Sequence, residues 1–268
     1  MTHKKEALAS LTVVGVGIKF LSHLTTEARV HIEQSNKVLY LVNNPAMEDW
    51  LLQVNETSEP LNNLYKKYSL REDCYSAITQ YILEKIKQNL HTCVVLYGHP
   101  TIFAKPALDA AKLTKEAGYP TKILPGISSE DCLFADLMID PATSGCQSYE
   151  ATDFLIHRRK FDNTSHLILW QVDVIGELGH TPDNKRGIPI LIDRLKCFYP
   201  SDHIIILYEA SQFPHFKPKI TSVTLSALAN ATILPITTLY IPPACKAEID
   251  HDTVNSLNIN IADLCRKE

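Results

Sequence analysis

The stretch ASLTVVGVGIKFLSHL, residues 9–24, decides the fold. Leu11 to Val14 is a short apolar, partly β-branched run and reads as a strand. Gly15 and Gly17 end it. TTEARVHIEQS then reads as a helix capped by Thr25, with Ala28, Val30 and Ile32 on its buried side. KVLYLV is a second strand, closed by Asn43, Asn44 and Pro45. Strand, helix and strand in this order form a βαβ unit, which predicts a parallel α/β layer.

The same alternation continues downstream. Cys93 to Leu96 is apolar throughout and reads as a central strand covered on both faces. It runs into Tyr97-Gly98-His99-Pro100. Thr101 to Phe103 makes a bend, and a helix of alanines and lysines ends at Gly118. TKILPG is a further strand. Three polar or glycine-bearing loops therefore follow strands, at Gly15–Gly17, Tyr97–Pro100 and Pro125–Ser129, where open α/β sheets bind ligands. A helix begins near Ser128 or Ser129, with Leu133, Phe134 and Leu137 on its apolar side. IDPATSGCQSYEATDFLIH reads as a turn, a short extended piece and a helix.

HLILWQV, HIIILYEA, ATILPI and TTLYIPP then read as extended segments. The pattern predicts an α/β protein of two domains. Residues 1–125 form a parallel α/β domain, 126–248 a mixed α/β domain, and 249–268 a tail with one short helix at most. Gly176 to Gly187 is polar and loop-like.

LYKKYSLREDCY, residues 64–75, raises a separate question. Ser69 and Glu72 have capping-box spacing for a helix whose core stripe is Ile78, Ile82, Ile86 and Leu90. Tyr75 stands one turn before that stripe and Arg71 one turn before Tyr75. Tyr65 lies six residues before Arg71. Either Arg71 reaches water or pairs with Glu72 or Asp73, or the three side chains face a ligand. The residues alone leave both readings open.

Composition narrows the function classes. With 26 Lys and Arg against 30 Asp and Glu, the net charge of −4 gives no general field for nucleic acid. MTHKKEALAS lacks a signal peptide's apolar stretch, and no apolar run approaches the roughly 20 residues of a membrane span. The expected location is the cytoplasm. Seven cysteines show no CxxC pair, and no HxH or HExxH appears, so neither a disulfide framework nor a metal site is expected. Gly15-Val16-Gly17 is an incomplete dinucleotide fingerprint and reads as a turn that lets backbone approach a ligand. His99 reads as an acid, a base or a loop-holding group. The run HRRK, residues 157–160, reads as a solvated turn or as a patch for an acidic partner.

LTVVGVG, YGHPTIFAKPA, LPGISSEDCLFADLMIDPATSGCQSYEAT, LILWQV and PITTLYIPP together resemble the tetrapyrrole methylase superfamily. Within it they resemble the borosin peptide backbone α-N-methyltransferases, from residue 11 to about 250. Many relatives have aspartate where this chain has His99. The resemblance implies two α/β domains with a cofactor cleft between them. It implies S-adenosylmethionine as cofactor, S-adenosylhomocysteine as product, and methyl transfer to backbone amide nitrogens of a ribosomally made precursor peptide.

Tyr65, Arg71 and Tyr75 match the catalytic pattern of that branch. The implied cofactor residues are Gly15, Gly17, Tyr97, His99, Phe103, Ala104, Ser128, Ser129, Trp170 and Gln171, with Tyr208, Ala210, Pro235 and Thr237 beside them. Family enzymes are homodimers. Fungal members carry their substrate as a C-terminal extension, whereas this chain stops at ADLCRKE. The resemblance therefore implies a separate borosin precursor and a complex of two enzymes with two precursors, with no nucleic acid, membrane or metal. Two other readings stay open: a methylase of the same fold acting on a tetrapyrrole or another small molecule, and a non-catalytic scaffold that binds a precursor.

Overall fold

The computed structural model describes residues 9–88, 91–179 and 186–264. Two five-stranded sheets organise them. The first takes β1 (Ser10–Gly15), β2 (Lys37–Leu41), β3 (Glu59–Pro60), β4 (His91–Leu96) and β5 (Thr121–Leu124), in the order β3-β2-β4-β1-β5. Every pairing is parallel. Helices α1 (Thr26–Gln34) and α2 (Pro45–Val54) cover one face, and α3 (Arg71–Lys87) and α4 (Lys105–Glu116) the other. Alternation along the strands explains the division. Leu11, Val13, Leu39, Val94 and Leu96 pack under α3 and α4. Val14, Val38, Tyr40, Cys93 and Val95 pack under α1 and α2. Both faces are buried, which is why these strands read as unbroken apolar runs.

The second sheet takes β6 (Cys146–Glu150), β7 (His166–Trp170), β8 (Ile204–Glu209), β9 (Lys219–Thr224) and β10 (Thr238–Ile241), in the order β6-β7-β10-β8-β9. Only β6 and β7 run parallel; the remaining pairs are antiparallel. Helix α5 (Ser129–Leu137) lies on one face, where Cys132 and Leu133 meet Ile168, Trp170, Tyr208 and Tyr240. After the short α6 (Pro141–Ser144), helices α7 (Ala151–Ile156) and α8 (Gly187–Leu195) pack on the opposite face, around Phe154, Leu191 and Leu195. Two short helices follow, α9 (His251–Ser256) and α10 (Ile261–Leu264), where one at most was expected.

Several expectations need correction. Val30 is 40% exposed and lies off the buried side of α1, while Ala28 and Ile32 are buried there. ATILPI is not a strand; its proline and the following threonine form a turn at residues 234–237. The edge strand β9 was not foreseen, because KITSVT is largely polar and exposed. Helix α2 was also missed, although Asn44 caps it and Pro45 opens it. The capping box at Ser69 is not formed: α3 begins after Leu70 with no side-chain cap. Leu90, Cys265 and part of the Gly176–Gly187 loop lie outside the described residues. In HRRK, Asp153 holds His157 at 2.8 Å and Arg159 at 2.7 Å.

Candidate active site

Three glycines bring the strand-end loops together. A Cβ on Gly15 would lie 2.3 Å from the Gly98 carbonyl oxygen and 2.8 Å from Pro100 Cδ. One on Gly126 would lie 2.6 Å from the same oxygen. Gly17, at φ +74°, would drive a Cβ into His23. Gly17 and Gly98 also exchange backbone hydrogen bonds, at 3.0 and 3.2 Å. Gly15 and Gly17 were expected to let backbone approach a ligand. Close to them lie the backbone and side chains of the neighbouring loops, and neither glycine lines the two cavities described below.

The loops enclose a cavity of about 370 Å³ at the carboxyl ends of β1, β2, β4 and β7. Its walls include Tyr65, Tyr75, Tyr97, His99, Phe103 and Ala104 from the first half of the chain. Ser128, Ser129, Trp170, Gln171, Ala210, Pro235 and Thr237 come from the second. Leu41, Asn43, Pro106, Ile236 and Thr238 also line it and were not foreseen. They belong to strand ends and helix starts whose partners cannot be read from local pattern. Among the described residues no lining side chain is an Asp, Glu, Lys or Arg.

Arg71 lies in an adjoining cavity of about 420 Å³ with Lys105, Glu150, Glu177 and Leu178. Tyr75, Phe103 and Gln171 form the wall common to both. Phe103 and Gln171 are non-glycine residues in the left-handed region, at φ 51° and 56°. Such backbone costs energy and persists where surrounding packing enforces it. Here Phe103 meets Trp170 edge-on, with ring centroids 5.9 Å apart. The Trp170 indole N–H donates to Ser148 Oγ.

The start of α3 is gripped from the second half of the chain. Arg71 N–H donates to the Leu178 carbonyl at 3.1 Å, and Arg71 Nε donates to the Gly179 carbonyl at 2.7 Å. Burial pushes the nearby Asp173 carboxyl up, while the Arg71 charge pulls it down. Arg71 is thus held neither by Glu72 nor by Asp73. The backbone of a loop that its sequence neighbourhood cannot reveal holds it instead. Two turns on, the Thr79 hydroxyl lies 3.0 Å from the carbonyls of Tyr75 and Pro106, tying two cavity walls together.

Tyr65 and Tyr75 approach edge-on, with centroids 6.5 Å apart. Burial raises both phenol pKa values above the usual tyrosine range, and it outweighs the Arg71 guanidinium, which pulls each down. Both therefore stay protonated near neutral pH and serve as hydrogen-bond donors. Tyr97 is likewise raised by burial, against hydrogen bonds with Asn43 and Gln212. His99 holds its own loop: Thr101 N–H donates to Nδ1 at 3.2 Å, with the Thr101 hydroxyl 2.9 Å away.

Two expected ligand contacts are otherwise committed. Tyr208 is fully buried beneath the cavity and donates to Asp136 at 2.6 Å. Ser128 closes a capping box with Asp131: its N–H and hydroxyl donate to Oδ2 at 2.7 Å, and Asp131 N–H returns a bond to its hydroxyl. The donors left at that helix start belong to Ser129 and the turn after it. Five aromatic rings, Tyr65, Tyr75, Tyr97, Phe103 and Trp170, line the same cavity and suit a cationic, ring-bearing ligand. No group of three or more His, Cys, Asp or Glu that could hold a metal occurs among the described residues. No described helix is long and apolar enough to cross a membrane.

Comparison with known proteins gives the family and the fold. The sequence profile of the Tetrapyrrole (Corrin/Porphyrin) Methylases matches residues 10–213. The chain is 40% identical over 260 residues to a methyltransferase/ribosomally synthesized cyclic peptide gymnopeptides precursor of Gymnopus fusipes, covering 95% of this chain and 62% of that protein. It is 34% identical over 264 residues to the corresponding omphalotin A precursor of Omphalotus olearius, covering 96% and 63%. The chain thus spans about three fifths of the length of such relatives. Among solved structures, uroporphyrin-III-C-methyltransferase from Thermus thermophilus superposes with a TM-score of 0.62 at 17% identity, over 91% of this chain and 99% of that one. A cobalt precorrin-4 methyltransferase superposes at 0.63 and 15% identity, over 90% and 97%. At such identities the superpositions speak for the fold alone.

Proposed function

Because the chain belongs to the tetrapyrrole methylase family, we propose that it uses S-adenosylmethionine to methylate backbone amide nitrogens of a ribosomally made precursor peptide. The observation that carries this reading is the shared wall of the two cavities. Tyr75, Phe103 and Gln171 join an uncharged aromatic chamber to a second chamber holding Arg71. The first suits the donor, and the second suits an extended chain presenting one amide at a time. The relatives named as cyclic-peptide precursors support the peptide, and their sequence identity supports extending it here.

The donor would supply a methyl carried on a positive sulfonium, leaving as neutral S-adenosylhomocysteine. An amide nitrogen is a weak nucleophile because its lone pair is shared with the carbonyl. As that nitrogen loses its proton in an imidate-like transition state, negative charge builds on the amide oxygen. Arg71 and one of the phenols Tyr65 and Tyr75 donate hydrogen bonds to that oxygen. The Gly179 carbonyl takes one Arg71 N–H and fixes the plane of the guanidinium, whose other N–H groups remain as donors. Phenols held protonated by burial cannot remove the amide proton, so it departs to solvent as the N–CH3 bond forms and the S–CH3 bond breaks.

This division of labour has a pH signature. Both tyrosines titrate above the reference value near 10. The single-turnover rate should therefore stay level between about pH 7 and about pH 9.5, below those titrations. A tenfold rise per pH unit would instead mark a deprotonation before methyl transfer, of a phenol or of the amide itself. The sign for stability follows from the same shift: what these phenols contribute is fully present below the unfolded value near 10 and is lost as pH rises through the higher folded value.

The test of the function is mass spectrometry of a precursor peptide incubated with enzyme and donor. Stepwise gains of one CH2 on backbone nitrogens are expected. Methylation of a tetrapyrrole with none of the peptide would reject the reading in favour of a small-molecule methylase, and donor binding with no methylated product would favour a scaffold. We take the precursor as a separate chain and the enzyme as a homodimer binding two precursors. A sedimentation mass of the mixed components checks that stoichiometry.

A further inference from the structure

The far wall of the donor cavity is a turn, Leu234 to Thr237, whose shape depends on one buried carboxylate. Pro235, Ile236 and Thr237 line the cavity. Thr237 closes the turn on itself: its N–H donates to the Leu234 carbonyl at 2.9 Å, and its Oγ1 accepts from Leu234 N–H at 2.9 Å. That leaves the hydroxyl proton, which Thr237 donates to Glu209 Oε1 at 3.0 Å. Glu209 is 7% exposed, at the end of β8, next to the cavity residue Ala210. Lys219, its cross-strand partner on β9, donates to the same Oε1 at 2.9 Å. A buried carboxylate is costly unless paired and hydrogen-bonded, and this one is both.

We propose that Glu209 is a positioning residue for the donor. It lines neither of the two cavities and acts through Thr237, holding the Leu234–Thr237 turn in the one shape that presents its peptide groups to the ligand. This rests on reading the first cavity as the S-adenosylmethionine site. The hydroxyl of Thr237 can direct only one proton. With Glu209 accepting it, the oxygen lone pair is aimed at Leu234 N–H. Without that acceptor the hydroxyl turns, the cap on Leu234 loosens, and Pro235 and Ile236 lose their register. The largely polar edge strand β9 thereby gains a purpose: Lys219 holds the carboxylate in place.

The experiment is calorimetric titration of the folded protein with S-adenosylhomocysteine, paired with donor KM and kcat. Removing a charge-assisted hydrogen bond that shapes the turn, with Glu209→Met, should weaken binding about tenfold. The donor KM should rise by a similar factor with kcat little changed. Thr237→Val should have the same effect, and the double variant should be no weaker than either single one, because both cut one link. Glu209→Gln keeps an acceptor oxygen and should recover most of the affinity. Should Glu209→Met not fold, Thr237→Val and Glu209→Gln carry the comparison. Unchanged affinity in folded Glu209→Met or Thr237→Val overturns the proposal while leaving the cofactor site standing. No binding to the unaltered protein overturns both.

Discussion

Replacing Arg71 with alanine should lower the methyl-transfer rate about a hundredfold or more, while S-adenosylhomocysteine binds as before. The size follows from removing one donor from an oxygen that gains charge only in the transition state, a loss of about 3 kcal/mol elsewhere. The separation from donor binding follows from geometry, since Arg71 lines the second cavity and not the first. Arg71→Lys should recover little. A lysine ammonium lacks the planar fork that can bond the Gly179 carbonyl through Nε and still offer N–H groups to a second acceptor. Single-turnover rates with saturating donor, set beside calorimetric affinity, check both halves. A normal rate in Arg71→Ala would remove Arg71 from the chemistry.

The second large effect is structural. Gly15→Ala places a methyl group 2.3 Å from the Gly98 carbonyl oxygen, backbone against backbone, where no side chain can move aside. Such overpacking should cost about 3 kcal/mol and lower the melting temperature by roughly 10 °C. Because the Gly98 and Gly126 loops both feed the cavity proposed for the donor, their displacement should also abolish S-adenosylhomocysteine binding. Gly118→Ala is the internal comparison. Gly118 has φ +86° with nothing within 4 Å, so alanine there pays only the left-handed backbone penalty of about 1–2 kcal/mol and leaves the cavity untouched. Equal losses from the two substitutions would mean that the three-loop contact is not what holds the site.

The parallel half of the fold is legible because its strands are buried on both faces and its helices alternate with them. Cys93 to Leu96 needs no context to be recognised as a central strand. The second half is harder to read. β9 is an exposed edge, and a strand that buries little leaves little apolar signature. The turn at Leu234–Thr237 was taken for a strand because ATILPI is β-rich in composition, whereas its Thr237 is bonded to Glu209, 28 residues away in sequence.

Similar reasons divide the site. Tyr65, Arg71 and Tyr75 are singled out by the family resemblance, because their type and their place ahead of the Ile78, Ile82 and Ile86 stripe leave a surface reading equally open. What positions Arg71, the carbonyls of Leu178 and Gly179, consists of backbone atoms. No residue identity encodes their approach. Ser128 is legible only in part. A serine at a helix start suits both a ligand site and a capping box, and this one closes the box with Asp131 while also lining the cavity.

The most direct measurement is a crystal structure of the enzyme with S-adenosylhomocysteine and a precursor peptide. The proposed chemistry predicts the donor's sulfur in the aromatic cavity and a backbone amide nitrogen facing it. The oxygen of that amide should lie within about 3 Å of an Arg71 N–H and of a Tyr65 or Tyr75 hydroxyl. A peptide lying elsewhere, or an amide whose oxygen points away from all three side chains, would contradict it.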